Sequence, residues 1–136
     1  MRFLLPIVVA AVLIAGCFLP WMTIASKNIT ITGMETAGTD FGKPAYFHFF
    51  WVGLFLVFFV VNRVWSRRLA MMFTAFNVAW AFRNFFVFPI CQMGECPVRQ
   101  IGLYIVFITS LLLFFAGLLA PVKEKAGAPA QPEKKE

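Results

Sequence analysis

The chain has 136 residues, of which 61% are hydrophobic, 18 are phenylalanine and only 13% are charged. Water-soluble domains carry about a quarter of charged residues, so this composition excludes a typical one, because too few polar side chains remain to cover its surface. The net charge of +6 is spread unevenly along the chain.

Four long apolar stretches follow one another, at about residues 3–22, 45–65, 69–88 and 101–120. Each is close to the ~20 residues that a helix needs to cross the ~30 Å hydrocarbon core of a bilayer. The sequence therefore predicts an all-α membrane protein, with a four-transmembrane-helix bundle in residues 1–121. The linker between the second and third stretches is too short for anything but a turn.

Most of the basic residues lie on one side of these predicted spans, at Arg2, at Arg63, Arg67 and Arg68, and in residues 122–136. By the positive-inside rule this predicts a multi-pass protein with both termini cytoplasmic, in what we expect to be a bacterial inner membrane. The charge is thus an orientation signal, and nucleic acid is not expected as a partner. Residues 122–136 combine Ala, Pro and charge, which predicts a disordered cytoplasmic tail.

The first outer loop predicts a short extracytoplasmic β-hairpin. Two runs that favour strand, residues 23–26 and 29–32, flank Lys27-Asn28, a pair suited to a tight turn.

The end of the first stretch has two interpretations. Ile14-Ala15-Gly16-Cys17 resembles the lipobox of bacterial lipoproteins, a family in which the cysteine becomes the lipidated first residue, and this implies lipidation of Cys17. Lipoproteins usually continue with a polar tether, whereas Phe18 and three further apolar residues follow here. We therefore predict that the stretch is retained as a membrane span, with lipidation of Cys17 as the alternative.

Small and polar residues recur along the third stretch at alternating spacings of four and three, and along the fourth at a spacing of seven. Small side chains let helices approach closely in lipid, and Asn or Thr can form hydrogen bonds across the contact. The pattern predicts helices packed along these seams, with a ligand pocket around Asn77 and Asn84 as the alternative. The seam residues are Ala70, Thr74, Asn77, Ala81 and Asn84 in the third stretch and Gly102, Thr109 and Ala116 in the fourth.

Arg83 lies inside the third stretch, where a charge is costly and usually has a partner. Asp40 and Glu95 are acidic residues of the outer loops and the predicted ion-pair partners. The alternatives are binding of an anion, a lipid headgroup or a quinone carbonyl, and contact with a protein partner.

His48 begins the second stretch among Phe and Trp residues, as is common in the aromatic belt at a membrane interface. No Ser/His/Asp set and no glycine-rich phosphate loop is evident. Cys91, Cys96 and His48 are too few and too scattered for a zinc site, so no metal is expected.

Cys91 and Cys96 lie between Pro89 and Pro97, in the predicted outer loop between the third and fourth stretches. On the oxidising side of a membrane such a pair predicts a structural disulfide. The alternative is a redox function, because four spans and outward-facing cysteine pairs resemble the membrane thiol oxidases of the disulfide-bond-forming type. That resemblance implies a quinone cofactor and working thiols at Cys91, Cys96 and Cys17, although this chain lacks the Cys-x-x-Cys pair of those families.

The sequence thus predicts a small integral membrane protein that is more an accessory, assembly or scaffold subunit than an enzyme. Its expected partners are the lipid bilayer and either a membrane protein or a second copy of the chain. The alternatives are a thiol–quinone oxidoreductase and a protein that binds lipid or another small molecule.

Overall fold

The computed structural model describes residues 3–36, 39–40, 42–61, 63–91 and 94–121. These residues form four α-helices and one small antiparallel sheet. In chain order the elements are α1 (Leu4–Gly16), β1 (Pro20–Ile24), β2 (Ile29–Thr32), α2 (Ala45–Val61), α3 (Val64–Val87), β3 (Val98–Arg99) and α4 (Ile101–Leu119). The predicted tail, residues 122–136, lies outside the described residues.

The predicted four-transmembrane-helix bundle is wrong. Among the helices of the described residues, only α4 is both long enough and apolar enough to cross a bilayer. Helices α1 and α2 are apolar but have 13 and 17 residues. At 1.5 Å per residue they measure about 20 and about 26 Å, less than the ~30 Å hydrocarbon core.

The first and third predicted spans differ from the helices for separate reasons. The first is divided, because the chain leaves α1 at Cys17 and enters β1 at Pro20. The third is longer than predicted, since α3 has 24 residues and begins at Val64. Its asparagines and arginines make this helix too polar to count as one that could cross a bilayer.

The predicted hairpin is present and belongs to a three-stranded sheet of order β2-β1-β3. Asn28 has a φ of 52° in the connection between β1 and β2, a left-handed conformation that Asn adopts more readily than most residues. Strand β1 begins at Pro20, earlier than expected, and β3 pairs with its other edge through Met22 and Thr23.

The helix α3 packs against both α2 and α4, and α1 packs mainly on α4. The ring contacts Phe3–Phe59 and Phe18–Phe49 connect α1 with α2. All five predicted seam residues of α3 and all three of α4 are buried.

The sheet lies at the end of the bundle where α1 and α3 finish and α2 and α4 begin, which we call the sheet end. The backbone amide of Ala45 donates to the carbonyl of Gly33, and that of Gln100 donates to the carbonyl of Trp21. Trp21 and Met22 of β1 have no exposed surface, so the sheet closes this end of the hydrophobic core.

Candidate functional site

Four polar side chains from three helices meet in the centre of the bundle. His48 of α2, Asn77 and Asn84 of α3, and Ser110 of α4 are each at most 1% exposed, and we call them the buried polar cluster. Buried polar groups are costly unless they are hydrogen-bonded, so their bonding pattern decides what the cluster can do.

The hydrogen bonds of His48 define its protonation state. Nδ1 lies 2.7 Å from Oδ1 of Asn77, and Nε2 lies 3.4 Å from Nδ2 of Asn84. A carboxamide oxygen only accepts and a carboxamide nitrogen only donates, so Nδ1 carries the proton and Nε2 accepts. The arrangement is that of a neutral imidazole held as one tautomer.

The chain of hydrogen bonds continues into α4. Asn77 donates from Nδ2 to Oγ of Ser110 at 3.1 Å, and Ser110 donates to the carbonyl of Val106 at 2.7 Å. The Ser110 hydroxyl thus gives its proton to its own helix and not to the imidazole. The cluster therefore resembles no nucleophile–base pair, in which the base must accept the proton of the nucleophile.

Asn84 is the incompletely bonded member of the cluster. Its Oδ1 is buried without a hydrogen-bond partner, while its Nδ2 makes the long bond to His48. Above the imidazole, the Trp21 ring lies edge-on at 6.1 Å and donates from Nε1 to the carbonyl of Gly16. The sheet thereby covers the cluster, which acts as an internal tie between α2, α3 and α4.

The predicted polar residues Thr74 and Thr109 do not join this cluster. Thr74 donates to the carbonyl of Met71, and Thr109 donates to the carbonyl of Ile105 at 2.6 Å. Both hydroxyls are therefore satisfied within their own helices, and their small size is what the packing uses.

Arg67 is a second buried polar residue, at the end of the bundle opposite the sheet. It donates to the carbonyl of Ala120 at the end of α4, and its guanidinium lies 4.3 Å from the Phe59 ring centroid. Its Nη1 is buried without a hydrogen-bond partner. This one side chain connects α3 with the C-terminus of α4 and with α2.

Arg83 is exposed, in contrast to Arg67. Its guanidinium lies 4.8 Å from the Trp80 ring centroid. Within the described residues, no ion pair joins Arg83 to Asp40 or Glu95. The predicted ion pair is therefore replaced by a contact with an aromatic ring.

The predicted disulfide between Cys91 and Cys96 is present, and both residues are exposed. Cys17 is a free thiol with no exposed surface, just beyond the end of α1. Burial raises the pKa of this thiol to about 12. The predicted lipidation of Cys17 and its predicted redox role both remain predictions.

No cluster of three or more His, Cys, Asp or Glu side chains suited to a metal ion occurs in the part of the chain that the structure describes. The sequence pattern predicts polar contacts for Asn77 and Asn84, but it does not indicate their partners His48 and Ser110, and it predicts a turn at Arg67. The signal for Ser110 was its position next to Thr109, one step from the seam of α4.

The chain matches no protein-family model, no curated protein and no solved structure.

Proposed function

We propose that this chain is an integral membrane protein that serves as a non-catalytic accessory, assembly or scaffold subunit and binds another protein chain. The observation that carries the proposal is the outer surface of the helices. Large apolar side chains cover it, although the core beneath is already packed.

The exposed apolar residues occur on every helix and are not confined to one patch. Val8 of α1 is 50% exposed, Val57 of α2 is 61% exposed and Phe115 of α4 is 54% exposed. Soluble monomers rarely expose apolar patches of more than a few hundred Å², and larger ones mark contact with lipid or with another protein. Helix α4, which is long and apolar enough to cross a bilayer, supports lipid as one of these contacts.

The interior supports a non-catalytic role. The buried polar cluster binds three helices to one another and leaves no activated nucleophile. Polar contacts of this kind fix how helices pack against one another in an apolar environment.

A thiol–quinone oxidoreductase is the second candidate, because the Cys91–Cys96 disulfide is exposed and open to attack by a thiolate. Buried Cys17 offers no third thiol in the folded chain. A redox role would therefore have to use a single pair that exchanges with a partner protein.

The test begins with membranes from cells that express the full chain, washed with alkaline carbonate. We expect the protein to stay in the pellet and then to purify in mild detergent as a complex heavier than the 15.4 kDa chain. Native mass spectrometry distinguishes a second copy from a different protein. A chain that the carbonate wash releases, or that is a monomer at every concentration, contradicts the proposal.

Three matched variants locate the protein-binding face: Phe50→Ala on α2, Phe86→Ala on α3 and Phe115→Ala on α4. All three rings are more than half exposed, so their removal leaves the core intact. We expect one variant to dissociate the complex and the other two to retain it. Exchange of the disulfide with a partner thiol, blocked by Cys91→Ser without loss of the fold, would favour the redox candidate instead.

A further inference from the structure

Strand β3 forms one edge of the sheet and directly follows the disulfide loop. We propose that an extended segment of a partner protein, with an acidic residue between two apolar ones, adds to β3 as a fourth, antiparallel strand. This inference rests on the proposed function and deepens it, because it names the form of the partner and the place where it binds.

The outer edge of β3 offers backbone groups to a further strand. Within the described residues β3 pairs only with β1. The amide of Gln100 donates to the carbonyl of Trp21 of β1 at 2.8 Å, and the residues of an antiparallel strand bond its neighbour alternately. The N–H and C=O of Val98 therefore face β1, whereas those of Arg99 face away from the sheet.

The segment before β3 is constrained and exposed. The Cys91–Cys96 disulfide closes it two residues before Val98, and both cysteines are exposed. A Cβ on Gly94, between them, would meet nothing within 4 Å. Pro97 has no N–H to donate, so a further strand can bond β3 only over a short length. Side-chain contacts therefore have to supply much of the affinity.

The two side chains of β3 lie on opposite faces of the sheet. The Arg99 guanidinium lies 4.7 Å from the Phe85 ring centroid, so it is on the face toward α3. Successive side chains of a strand point to opposite faces, which places Val98, 56% exposed, on the other face. A fourth strand thus meets a cation on one face and an apolar side chain on the other.

The charge of Arg99 favours an acidic residue in the added strand. Arg99 is exposed, and no carboxylate of the described residues forms an ion pair with it. Opposite charges directly across two strands stabilise their pairing. Two exposed rings adjoin the same place, since Phe86 and Tyr104 lie 5.5 and 5.4 Å from Phe85. The edge is therefore complementary to a strand in which an acidic residue stands between apolar ones.

A second copy of this chain fits the same edge less well. In a two-fold antiparallel pair of β3 strands, the two Arg99 side chains lie on one face, either directly opposite or diagonal to each other. Their Cβ atoms are then about 5–8 Å apart, where like charges destabilise the pairing. The cation thus opposes self-pairing and favours a different chain.

The test uses NMR of the backbone amides of the full chain in detergent micelles, titrated with blocked pentapeptides. The probe is Thr-Val-Glu-Val-Thr, and two counterparts carry Gln or Lys in the central position. We expect the Glu peptide to shift the Arg99 amide proton downfield in a saturable manner, because that N–H gains an acceptor. The Val98 amide, which already bonds β1, should shift much less. The Glu peptide should bind up to about fivefold more tightly than the Gln peptide, and the Lys peptide more weakly than both.

Three variants show which group of β3 is used. Arg99→Gln should abolish the preference for Glu over Gln while the peptides still bind. Arg83→Gln is the matched control and should keep the preference, since Arg83 is also exposed beside an aromatic ring at the sheet end. Arg99→Pro removes the outward N–H and none that bonds β1. It should weaken binding of the Gln peptide by about 2- to 12-fold with an unchanged circular dichroism spectrum.

Three outcomes overturn the proposal. If none of the peptides gives a saturable shift of the Arg99 amide, the edge does not accept a strand. An equal loss of preference in Arg83→Gln shows that only net charge matters. A shift of the Arg99 amide when the chain is concentrated without peptide assigns the edge to a second copy.

The titration requires no natural partner, so it can fail separately from the proposed function. If the chain purifies as a complex but the peptides leave the Arg99 amide unchanged, the partner binds elsewhere and this inference is wrong. If the peptides bind whereas the purified chain is a monomer at every concentration, the edge accepts a strand and the proposed function is wrong.

Discussion

Nδ1 of His48 and Oδ1 of Asn77 lie 2.7 Å apart and join α2 to α3 at a place where neither side chain is more than 1% exposed. The same asparagine then bonds Ser110 of α4 through its nitrogen. Asn77 therefore uses both ends of its carboxamide to hold two neighbouring helices at once. A substitution at any residue of this hydrogen-bond series should therefore also weaken the bonds that the other residues make.

His48→Leu tests the central hydrogen bond. The substitution leaves Oδ1 of Asn77 without a donor and Nδ2 of Asn84 without an acceptor, and each buried group left unbonded costs about 1–3 kcal/mol. We expect the free energy of unfolding to fall by at least about 1–3 kcal/mol, the cost of one such group. The measurement is equilibrium unfolding of the protein in detergent micelles.

A double-mutant cycle separates the bond from the change in packing. His48→Leu/Asn77→Leu should lose less stability than the two single variants added together, by about 0.6–1.7 kcal/mol. Phe50→Leu, on the exposed side of the same helix, should stay within about 0.5 kcal/mol of wild type. Strict additivity of the two single variants would show that the hydrogen bond contributes nothing.

The seam of α3 could be predicted because a helix has a fixed period. Small and polar residues at alternating spacings of four and three mark one face, and in a chain this rich in Phe only a buried face tolerates them. The structure buries all five of these residues. The hairpin was predictable for a similar local reason, since strand-forming runs flank Lys27-Asn28.

The residue that bonds Asn77 of this seam, His48, could not be predicted from the local sequence pattern. His48 stands alone among Phe and Trp residues, so no periodicity shows which way it faces, and only the packing of α2 on α3 brings it to Asn77. The basic residues after α2 are equally ambiguous, because a run of charge between apolar stretches is typical of a loop. In the structure α3 starts at Val64 and its first turns bury Ser66 and Arg67.

The neighbours Arg67 and Arg68 differ in burial and should differ in their effect on stability. Arg67→Met loses the hydrogen bond to Ala120 and the contact with Phe59. Hydrogen bonds from charged groups are worth about 1.5–3 kcal/mol, and a cation over a ring adds about 0.5–2 kcal/mol. We expect the free energy of unfolding, measured by chemical denaturation, to fall by about 2–5 kcal/mol.

Arg68→Met removes the same charge from the exposed side of the same turn, so it should change stability by less than about 0.5 kcal/mol. Arg67→Lys should be intermediate, since an ammonium keeps the charge but cannot stack as a planar group. If the two methionine variants are equally stable, Arg67 does not tie α4 to the rest of the bundle.

The three cysteines should react in a fixed order with a maleimide. The folded chain should react at none of them, because Cys91 and Cys96 are paired and Cys17 is buried with a raised pKa. Reduction without unfolding should expose two thiols, and reduction in denaturant should expose three. Mass spectrometry of the labelled chain counts them.

Loss of the disulfide should cost about 2 kcal/mol of stability, the chain-entropy value for so short a loop. The double variant Cys91→Ser/Cys96→Ser measures this without a reductant, and Cys17→Ser is the control for a thiol outside the pair. Labelling of Cys17 in the folded, unreduced chain would contradict its position in the core.

Gly102 and Gly53 are helical glycines in opposite surroundings, and the same substitution should change stability in opposite directions. A Cβ on Gly102 would lie 2.6 Å from the carbonyl oxygen of Pro20 and 2.9 Å from Cδ1 of Trp21, whereas a Cβ on Gly53 would meet nothing within 4 Å. The sheet approaches the start of α4 so closely that only glycine fits there.

Gly102→Ala should therefore force the sheet and α4 apart and cost about 1–3 kcal/mol, the usual cost of overpacking. Gly53→Ala should raise the unfolding free energy by up to about 1 kcal/mol, because alanine is the better helix former. Thermal unfolding in one detergent compares them directly, and a stabilised Gly102→Ala would mean that β1 does not pack on α4 at this distance.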